Sequence, residues 1–154
     1  MKIAGYASMY NNIDSHGDVV RRGAFNEQIA EIGGAGLPIC FEHSFEKLCG
    51  SSLKLIDRRK GLWVEAKLFD TDIADKIGRY LDNGISIGLS IGYRVSKAVT
   101  FGPSSKVSAI NFSVTPCKQN VALEREIIAA RLIEISLTLT PSNPLTLVKR
   151  VARK

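Results

Sequence analysis

Apolar and polar residues alternate in several short segments, and this alternation constrains the fold of the chain more than any other feature. The clearest case is residues 131–140, where Ile133, Ile135, Leu137 and Leu139 share one face. A period of two is typical of a β-strand that buries one side. Further segments of this kind lie at residues 2–10, 53–69, 85–95 and 106–115, and the short apolar run at residues 37–41 predicts another strand. The pattern therefore predicts strands along the whole chain.

Helical spacing is less common. Residues 23–32 place Phe25, Ile29 and Ile32 on one face and end at two glycines, which predicts a helix. The other segments interpreted as helices are residues 73–82, residues 121–130, and a basic segment that begins at Pro144. Strands interrupted by few helices predict an α+β fold, built mainly on an antiparallel sheet or barrel. A length of 154 residues predicts a single domain, residues 1–154.

Composition and charge exclude several classes of function. No apolar run reaches the roughly 18 residues of a membrane span, and the N-terminus has no signal-peptide core, so no membrane contact is expected. The net charge of +6 comes from scattered basic residues without interleaved aromatics, which argues against a nucleic-acid partner. Three irregularly spaced cysteines and two histidines predict neither a disulfide framework nor a structural zinc site. No cofactor is expected.

One serine lies in a pattern that is common at nucleophiles. Ser90 stands between Gly88 and Gly92 in a G-x-S-x-G sequence, and glycines leave room for a substrate carbonyl near the hydroxyl. A buried strand with closely packed glycines is the structural alternative. The α/β-hydrolase fold is excluded, because the residues after Ser90 continue as a strand and both histidines, His16 and His43, precede it.

A serine nucleophile needs a base, and the base needs an acceptor that orients it. His43 follows a short strand and is a better base than His16, which lies in a polar loop. Glu134 is the one charged residue within residues 132–140, and a buried carboxylate needs a partner, so it is the candidate third member. A solvent-facing side chain on a half-exposed sheet is the alternative for Glu134.

Residues 11–18, the loop before the first predicted helix, indicate a second kind of hydrolase site. Asp14, His16 and Asp18 are residue types that bind the metal ion of a metal-dependent hydrolase. The alternative is that the two aspartates cap their own loop backbone, as aspartates in turns commonly do.

Five segments, in this order along the chain, resemble the prohead maturation proteases of tailed phages: residues 14–25, 38–43, 61–62, 88–93 and 132–144. The resemblance implies the fold of the herpesvirus assembly proteases, which is a closed antiparallel β-barrel surrounded by a few helices. It also implies a serine endopeptidase in which His43 is the general base, Ser90 the nucleophile and Glu134 the third member. The herpesvirus relatives use a second histidine as that third member, and a carboxylate orients an imidazole equally well.

The same resemblance implies a biological role. The protease would cleave scaffold protein and capsid-protein extensions, as well as itself, inside the viral procapsid in the host cytoplasm. Its partners would be the major capsid protein and the scaffold protein, and a homodimer is one assembly that the resemblance implies. Backbone N–H groups, with Arg94 or Arg131 nearby, are candidates for the oxyanion hole. The alternative function is a non-catalytic capsid-assembly or scaffolding module with the same fold.

Overall fold

A computed structural model describes residues 1–101, 115–116 and 123–151 of the chain. This part holds ten strands and two helices. The strands are β1 Lys2–Met9, β2 Asn12–Ile13, β3 Asp18–Val20, β4 Pro38–Phe41, β5 Ser44–Arg58, β6 Gly61–Leu68, β7 Gly88–Thr100, β8 Thr115–Pro116, β9 Arg125–Thr138 and β10 Val148–Arg150. The helices are α1 Asn26–Ile32 and α2 Asp72–Asp82. The expected mainly-β fold with few helices is confirmed. Neither of the two helices has the length and apolarity of a membrane span.

Strand β9 lies at the centre of the sheet. Its whole length pairs antiparallel with β7, from Thr138 opposite Gly88 to Arg125 opposite Thr100. Its other edge is shared by two short parallel strands, β3 and β4. Beyond β4 the order continues through β5, β6 and β1 to β10, while β3 continues to β2 and β8. The sheet is therefore mixed: six of the described strand pairs are antiparallel, in line with the expected mainly antiparallel sheet, and the β2–β8, β3–β9 and β4–β9 pairs are parallel.

The expected closure of the barrel is not supported. The order of the described strands is open, running from β10 at one end to β8 at the other, with β7 attached to β9. The start of β7 meets the segment before β10 at one isolated bridge, Gly88 to Leu147. Two backbone hydrogen bonds flank that bridge, Leu89 N–H to Thr146 O at 2.6 Å and Val148 N–H to Ile87 O at 2.9 Å. A three-residue β10 is too short to pair along the thirteen residues of β7.

Helix α1 covers the gap that β3 and β4 leave on the edge of β9. Gln28 donates from Nε2 to Leu132 O at 3.0 Å and accepts from Leu132 N–H at 2.7 Å. The buried amide thus replaces a missing strand partner, because an unpaired backbone group in the interior is costly. On the core side, Phe25 at the N-cap of α1 is fully buried, together with apolar residues of both long strands such as Leu89 and Ile135.

Several predicted elements agree with the structure. The strands at residues 2–10 and 37–41, the hairpin at 53–69 and the helix at 73–82 are confirmed, and Thr71 caps that helix by accepting from Ala74 N–H at 3.2 Å. The predicted strand at 85–95 begins at Gly88 and extends to Thr100. The predicted strand at 106–115 lies outside the described residues except for its last residue.

Two predicted helices are wrong. Residues 125–130 belong to β9, because pairing with β7 on one edge and β3 on the other outweighs the helix preference of a Glu- and Ala-rich sequence. The segment after Pro144 forms a turn followed by β10, which pairs with β1. The β-branched Thr146, Val148 and Val151 in this segment favour an extended chain.

Candidate active site

The turn that carries His43 is conformationally unusual. Strand β4 ends at Phe41 and β5 begins at Ser44, so Glu42 and His43 form a two-residue hairpin turn. Both have positive φ angles, 54° and 55°. A tight hairpin requires positive φ at both central positions and normally uses Asn or Gly there. A non-glycine residue in this region costs on the order of 1 kcal/mol or more, so the surrounding structure must hold the turn in place.

Strand β9 supplies that support through four hydrogen bonds. The Glu42 carboxylate accepts from Thr138 Oγ1 and from Leu139 N–H, each at 2.9 Å. Glu42 N–H donates to Leu137 O at 3.0 Å. His43 N–H donates to Ser136 Oγ at 3.1 Å. These bonds offset the strain and fix the imidazole above the polar face of β9.

The imidazole and Glu134 form a direct pair. His43 Nδ1 lies 2.8 Å from Glu134 Oε1, and Glu134 Oε2 accepts from Ser136 Oγ at 2.6 Å. Glu134 is 4% exposed, so the solvent-facing alternative for this residue is wrong. In the neutral imidazole, a proton on Nδ1 donates to this carboxylate and leaves the lone pair of Nε2 free. The His43 side chain is 46% exposed and can reach a substrate.

Ser90 lies next to this pair on strand β7. The β7–β9 register places Ser90 opposite Ser136, and Gly92 opposite Glu134. Residues opposite each other in an antiparallel pair project from the same face, with Cβ atoms about 4.5–5.5 Å apart. Ser90 Oγ lies 3.4 Å from Ser142 Oγ, and no hydrogen bond joins Ser90 to His43 in the part of the chain that the structure describes.

Gly92 has a specific steric role in this arrangement. A Cβ atom at residue 92 would lie 2.5 Å from Glu134 Oε1. The glycine therefore leaves the space that the carboxylate occupies beside His43. Strand β7 continues without interruption after Ser90, which agrees with the exclusion of the α/β-hydrolase fold.

The loop at Asp14 and Asp18 is held by protein groups. Asp14 Oδ1 accepts from the N–H groups of His16 and Asp18, at 2.8 and 3.0 Å. Asp18 is 3% exposed and receives two hydrogen bonds from Arg125, at 2.8 and 2.6 Å. Tyr93 Oη also donates to Asp18, at 2.9 Å. Since both Asp18 oxygens are already occupied, the metal-hydrolase alternative has no support, and no cluster of metal-ligating side chains occurs among the described residues.

Burial changes the ionisation of several groups near the site. Desolvation raises the pKa of Asp14, although its two backbone hydrogen bonds act in the opposite direction. Desolvation and the neighbouring Asp18 raise the pKa of Tyr93, so its hydroxyl remains a hydrogen-bond donor. Burial, and secondarily the charge of Glu134, raises the pKa of the Cys40 thiol. Cys40 and Cys49 are free and buried, as expected, and Cys117 lies outside the described residues.

A small cavity of about 40 Å³ adjoins Ser90. Its lining includes Tyr93 of β7, Asp18 of β3, and Asn143 in the turn after β9. A larger groove of about 970 Å³ lies between α2 and the β1–β10 edge, but none of His43, Ser90 and Glu134 lines it. Of the three candidate site residues, Ser90 lines the smaller cavity, and His43 and Glu134 do not. Sequence reasoning did not identify the Asp18–Arg125–Tyr93 contacts, because Arg125 is more than 100 residues from Asp18 along the chain.

The overall fold is similar to that of a herpesvirus protease. The solved structure of the KSHV protease in complex with a hexapeptide phosphonate inhibitor matches with a TM-score of 0.51 at 12% identity. The match covers 96% of this chain and 63% of that one.

Sequence comparison then identifies the family. Residues 1–154 match the model of Peptidase_S78, the caudovirus prohead serine proteases, so the chain belongs to this family of serine proteases. The prohead protease of Enterobacteria phage HK97 is 33% identical over 96 residues, which is 60% of this chain and 42% of that protein. The resemblance to prohead proteases is thus confirmed. The chain spans less than two thirds of the length of these relatives.

Proposed function

We propose that this chain is a serine endopeptidase of procapsid maturation in which Ser90 is the nucleophile, His43 the general base and Glu134 the orienting acceptor. The observation that carries the proposal is the 2.8 Å contact of His43 Nδ1 with the buried Glu134 carboxylate, on the strand that pairs with Ser90. A neutral imidazole held in this tautomer is ready to accept a proton at Nε2.

The residues would perform acyl transfer in two steps. In the first, Ser90 Oγ forms a bond to the scissile carbonyl carbon while its proton passes to His43 Nε2. The tetrahedral intermediate collapses, the C–N bond breaks, and the leaving amine takes the proton from His43. In the second step, a water molecule bonds to the acyl carbon and gives a proton to His43 Nε2. The bond between the acyl carbon and Ser90 Oγ then breaks, the acid product leaves, and Ser90 takes the proton back from His43. Glu134 stays ionised throughout and stabilises the imidazolium.

The resting position of Ser90 requires one movement before this reaction. Its hydroxyl is near Ser142, and rotation about χ1 would redirect Oγ within the face that it shares with Ser136. Catalytic hydrogen bonds are often long in the absence of substrate and shorten when it binds.

The proposed substrates are the scaffold protein and extensions of the major capsid protein, as well as the protease itself. The proposed location is the procapsid inside the host cell. Two further expectations stay predictions: the chain is a single domain, and it forms a homodimer.

Co-expression with the capsid protein of the same phage tests the proposal. Ser90→Ala and His43→Ala should each abolish processing, seen on a gel and by mass spectrometry of the capsid protein. Glu134→Gln should slow processing severely without abolishing it, because the Ser–His pair survives. Ser51→Ala on β5 and His16→Ala in the exposed loop are matched controls that should process normally.

Full processing by Ser90→Ala would refute the assigned nucleophile. If the wild-type chain co-sediments with capsid protein and yields no cleavage product under any condition that permits assembly, the non-catalytic assembly module becomes the better description.

A further inference from the structure

The turn after strand β9 holds Asn143 in a fixed orientation. Asn143 is 6% exposed, and its side-chain Oδ1 accepts from Leu145 N–H at 3.0 Å. Since a backbone N–H can pair only with the oxygen of the amide, this bond determines which end of the side chain is Oδ1 and which is Nδ2. The NH₂ group is therefore the other branch of the amide, and the bond to Leu145 does not use it.

The same turn is attached directly to the residue before Ser90. Thr146, which is 1% exposed, accepts from Leu89 N–H at 2.6 Å through its carbonyl. Thr146 Oγ1 lies 2.6 Å from Leu89 O and also 2.6 Å from Asn143 O. Thr146 N–H donates to Asn143 O at 3.1 Å. Buried hydrogen bonds thus hold Asn143 in a constant position relative to the backbone of Ser90.

The amide nitrogen of Asn143 has no hydrogen-bond partner within residues 1–101, 115–116 and 123–151. The hydrogen bonds of the described residues leave Nδ2 without an acceptor. Asn143 and Ser90 both line the cavity of about 40 Å³. A fixed donor that is not used within the protein is available to a substrate, and in enzymes such donors commonly stabilise a charge that develops during the reaction.

We propose that Asn143 is a catalytic residue whose Nδ2 donates a hydrogen bond to the oxyanion of the tetrahedral intermediate. This inference rests on the proposed role of Ser90. As the bond from Ser90 Oγ to the carbonyl carbon forms, the π electron pair moves to the carbonyl oxygen, and Nδ2–H stabilises that negative charge. When the intermediate collapses, the pair returns to re-form the carbonyl and the C–N bond breaks. Nδ2 keeps its protons throughout.

The two arginines named as candidates from the sequence fit this role less well. Arg131 forms an ion pair with Glu31 of α1 at 2.5 Å, and both side chains are largely exposed. Arg94 is exposed, and neither arginine lines the cavity beside Ser90. A donor that is already fixed in place needs no reorganisation during the reaction, which is the property of an effective oxyanion hole.

Two substitutions separate this catalytic role from a structural one. Asn143→Asp and Asn143→Ser both keep an oxygen that can accept from Leu145 N–H, and both remove the NH₂ donor. Asp is the closer match in shape, so a purely structural role predicts that Asp is the milder change. The oxyanion role predicts that Asp is at least as damaging as Ser, because its carboxylate would face the developing charge.

The assay is hydrolysis of a fluorogenic peptide taken from the mapped cleavage site of the capsid protein, with kcat expressed per folded molecule from circular dichroism. We expect kcat to fall about 10²–10³-fold in both variants, with a much smaller change in KM. Gln28→Glu, at a buried amide whose two side-chain atoms are paired with Leu132, should change the melting temperature and leave kcat near the wild-type value.

Each outcome decides the question. A wild-type kcat in Asn143→Ser, or a clearly milder loss in Asn143→Asp than in Asn143→Ser, would overturn the inference while an inactive Ser90→Ala leaves the proposed function intact. Activity in Ser90→Ala would overturn both proposals. If either Asn143 variant is poorly folded, Thr146→Val provides a second test, because loss of its hydroxyl should loosen Asn143 and lower kcat more than it raises KM.

Discussion

Replacement of Gly92 by alanine should disable catalysis through a single displaced carboxylate. The new Cβ would lie 2.5 Å from Glu134 Oε1, whereas ordinary contacts begin at 3.4 Å, so the carboxylate must move by about 0.9 Å, the difference between these distances. His43 Nδ1 and Glu134 Oε1 are 2.8 Å apart. A displacement of that size either moves the 2.8 Å separation outside the roughly 2.7–3.2 Å range of an N–H···O hydrogen bond or turns the carboxylate out of line with the Nδ1–H bond.

The magnitude follows from the loss of imidazole orientation. A misplacement of about 1 Å commonly costs about 10²-fold in rate, and complete loss of the orienting carboxylate's function costs up to about 10⁴-fold. We expect kcat of Gly92→Ala to fall between these two values. The clash involves the end of a side chain, so the melting temperature should fall by no more than about 4 °C, equivalent to about 1 kcal/mol.

Gly50→Ala on β5 is the matched control. Its Cβ would lie 2.6 Å from the backbone oxygen of Lys67, which cannot move without the strand, so we expect a loss of about 1–3 kcal/mol of stability. Since residue 50 is remote from His43, kcat per folded molecule should stay at the wild-type value. Gly92→Ala should therefore lower kcat with little loss of stability, and Gly50→Ala should lower stability with no loss of kcat.

A double-mutant cycle with Glu134→Gln gives the decisive result. Both substitutions act on the His43–Glu134 contact, so the double variant should be no slower than the slower single variant. Losses in kcat that multiply, or wild-type kcat in Gly92→Ala, would refute the reasoning. Peptide hydrolysis measures kcat, and circular dichroism measures the melting temperature.

Two further predictions concern stability. Gln28→Leu should lower the free energy of unfolding by about 1–3 kcal/mol, because the N–H and C=O groups of Leu132 lose their buried partners. Chemical denaturation measures this loss, and kcat should stay unchanged. Wild-type stability would contradict the assigned role of Gln28. Burial raises the pKa of Asp14 in the folded state, so the folded state binds this proton more tightly than the unfolded state. Stability therefore falls as pH rises from the pKa of the unfolded state through the raised pKa of the folded state. Asp14→Asn should therefore raise the melting temperature at pH 7, and the gain should disappear in acid; a gain that grows on acidification would contradict this sign.

Local patterns in the sequence predict much of the strand content because they depend only on neighbouring residues. The alternation at residues 131–140 and the hairpin at 53–69 correspond to real strands. The same information cannot tell whether residues 125–130 are helical, since their extended form depends on Ala98 and Val20, which pair with Ile127 from distant strands. Barrel closure likewise depends on the length of the last strand pair and not on any local pattern.

The candidate site was also only partly predictable from the sequence. Glu134 could be identified as a charged residue within an apolar strand. Its burial could not be predicted, because the turn at Glu42 and His43, which is distant in the sequence, covers its side chain. That turn does leave a signal in the sequence. Two non-glycine residues occupy positions between two short strands where Asn-Gly would be expected, and such a local conflict is typical of functional sites.

The G-x-S-x-G pattern acquires a different meaning from the β7–β9 register. Gly88, Ser90 and Gly92 lie opposite Thr138, Ser136 and Glu134. Gly92 leaves room for the Glu134 carboxylate that contacts His43, whereas a side chain at residue 88 would meet Pro141. Gly92 thus leaves space on the polar face of β9 beside the turn that carries His43. It follows that Gly92→Ala should lower kcat only where residue 134 orients the imidazole of His43, and should have little further effect on kcat in the Glu134→Gln variant.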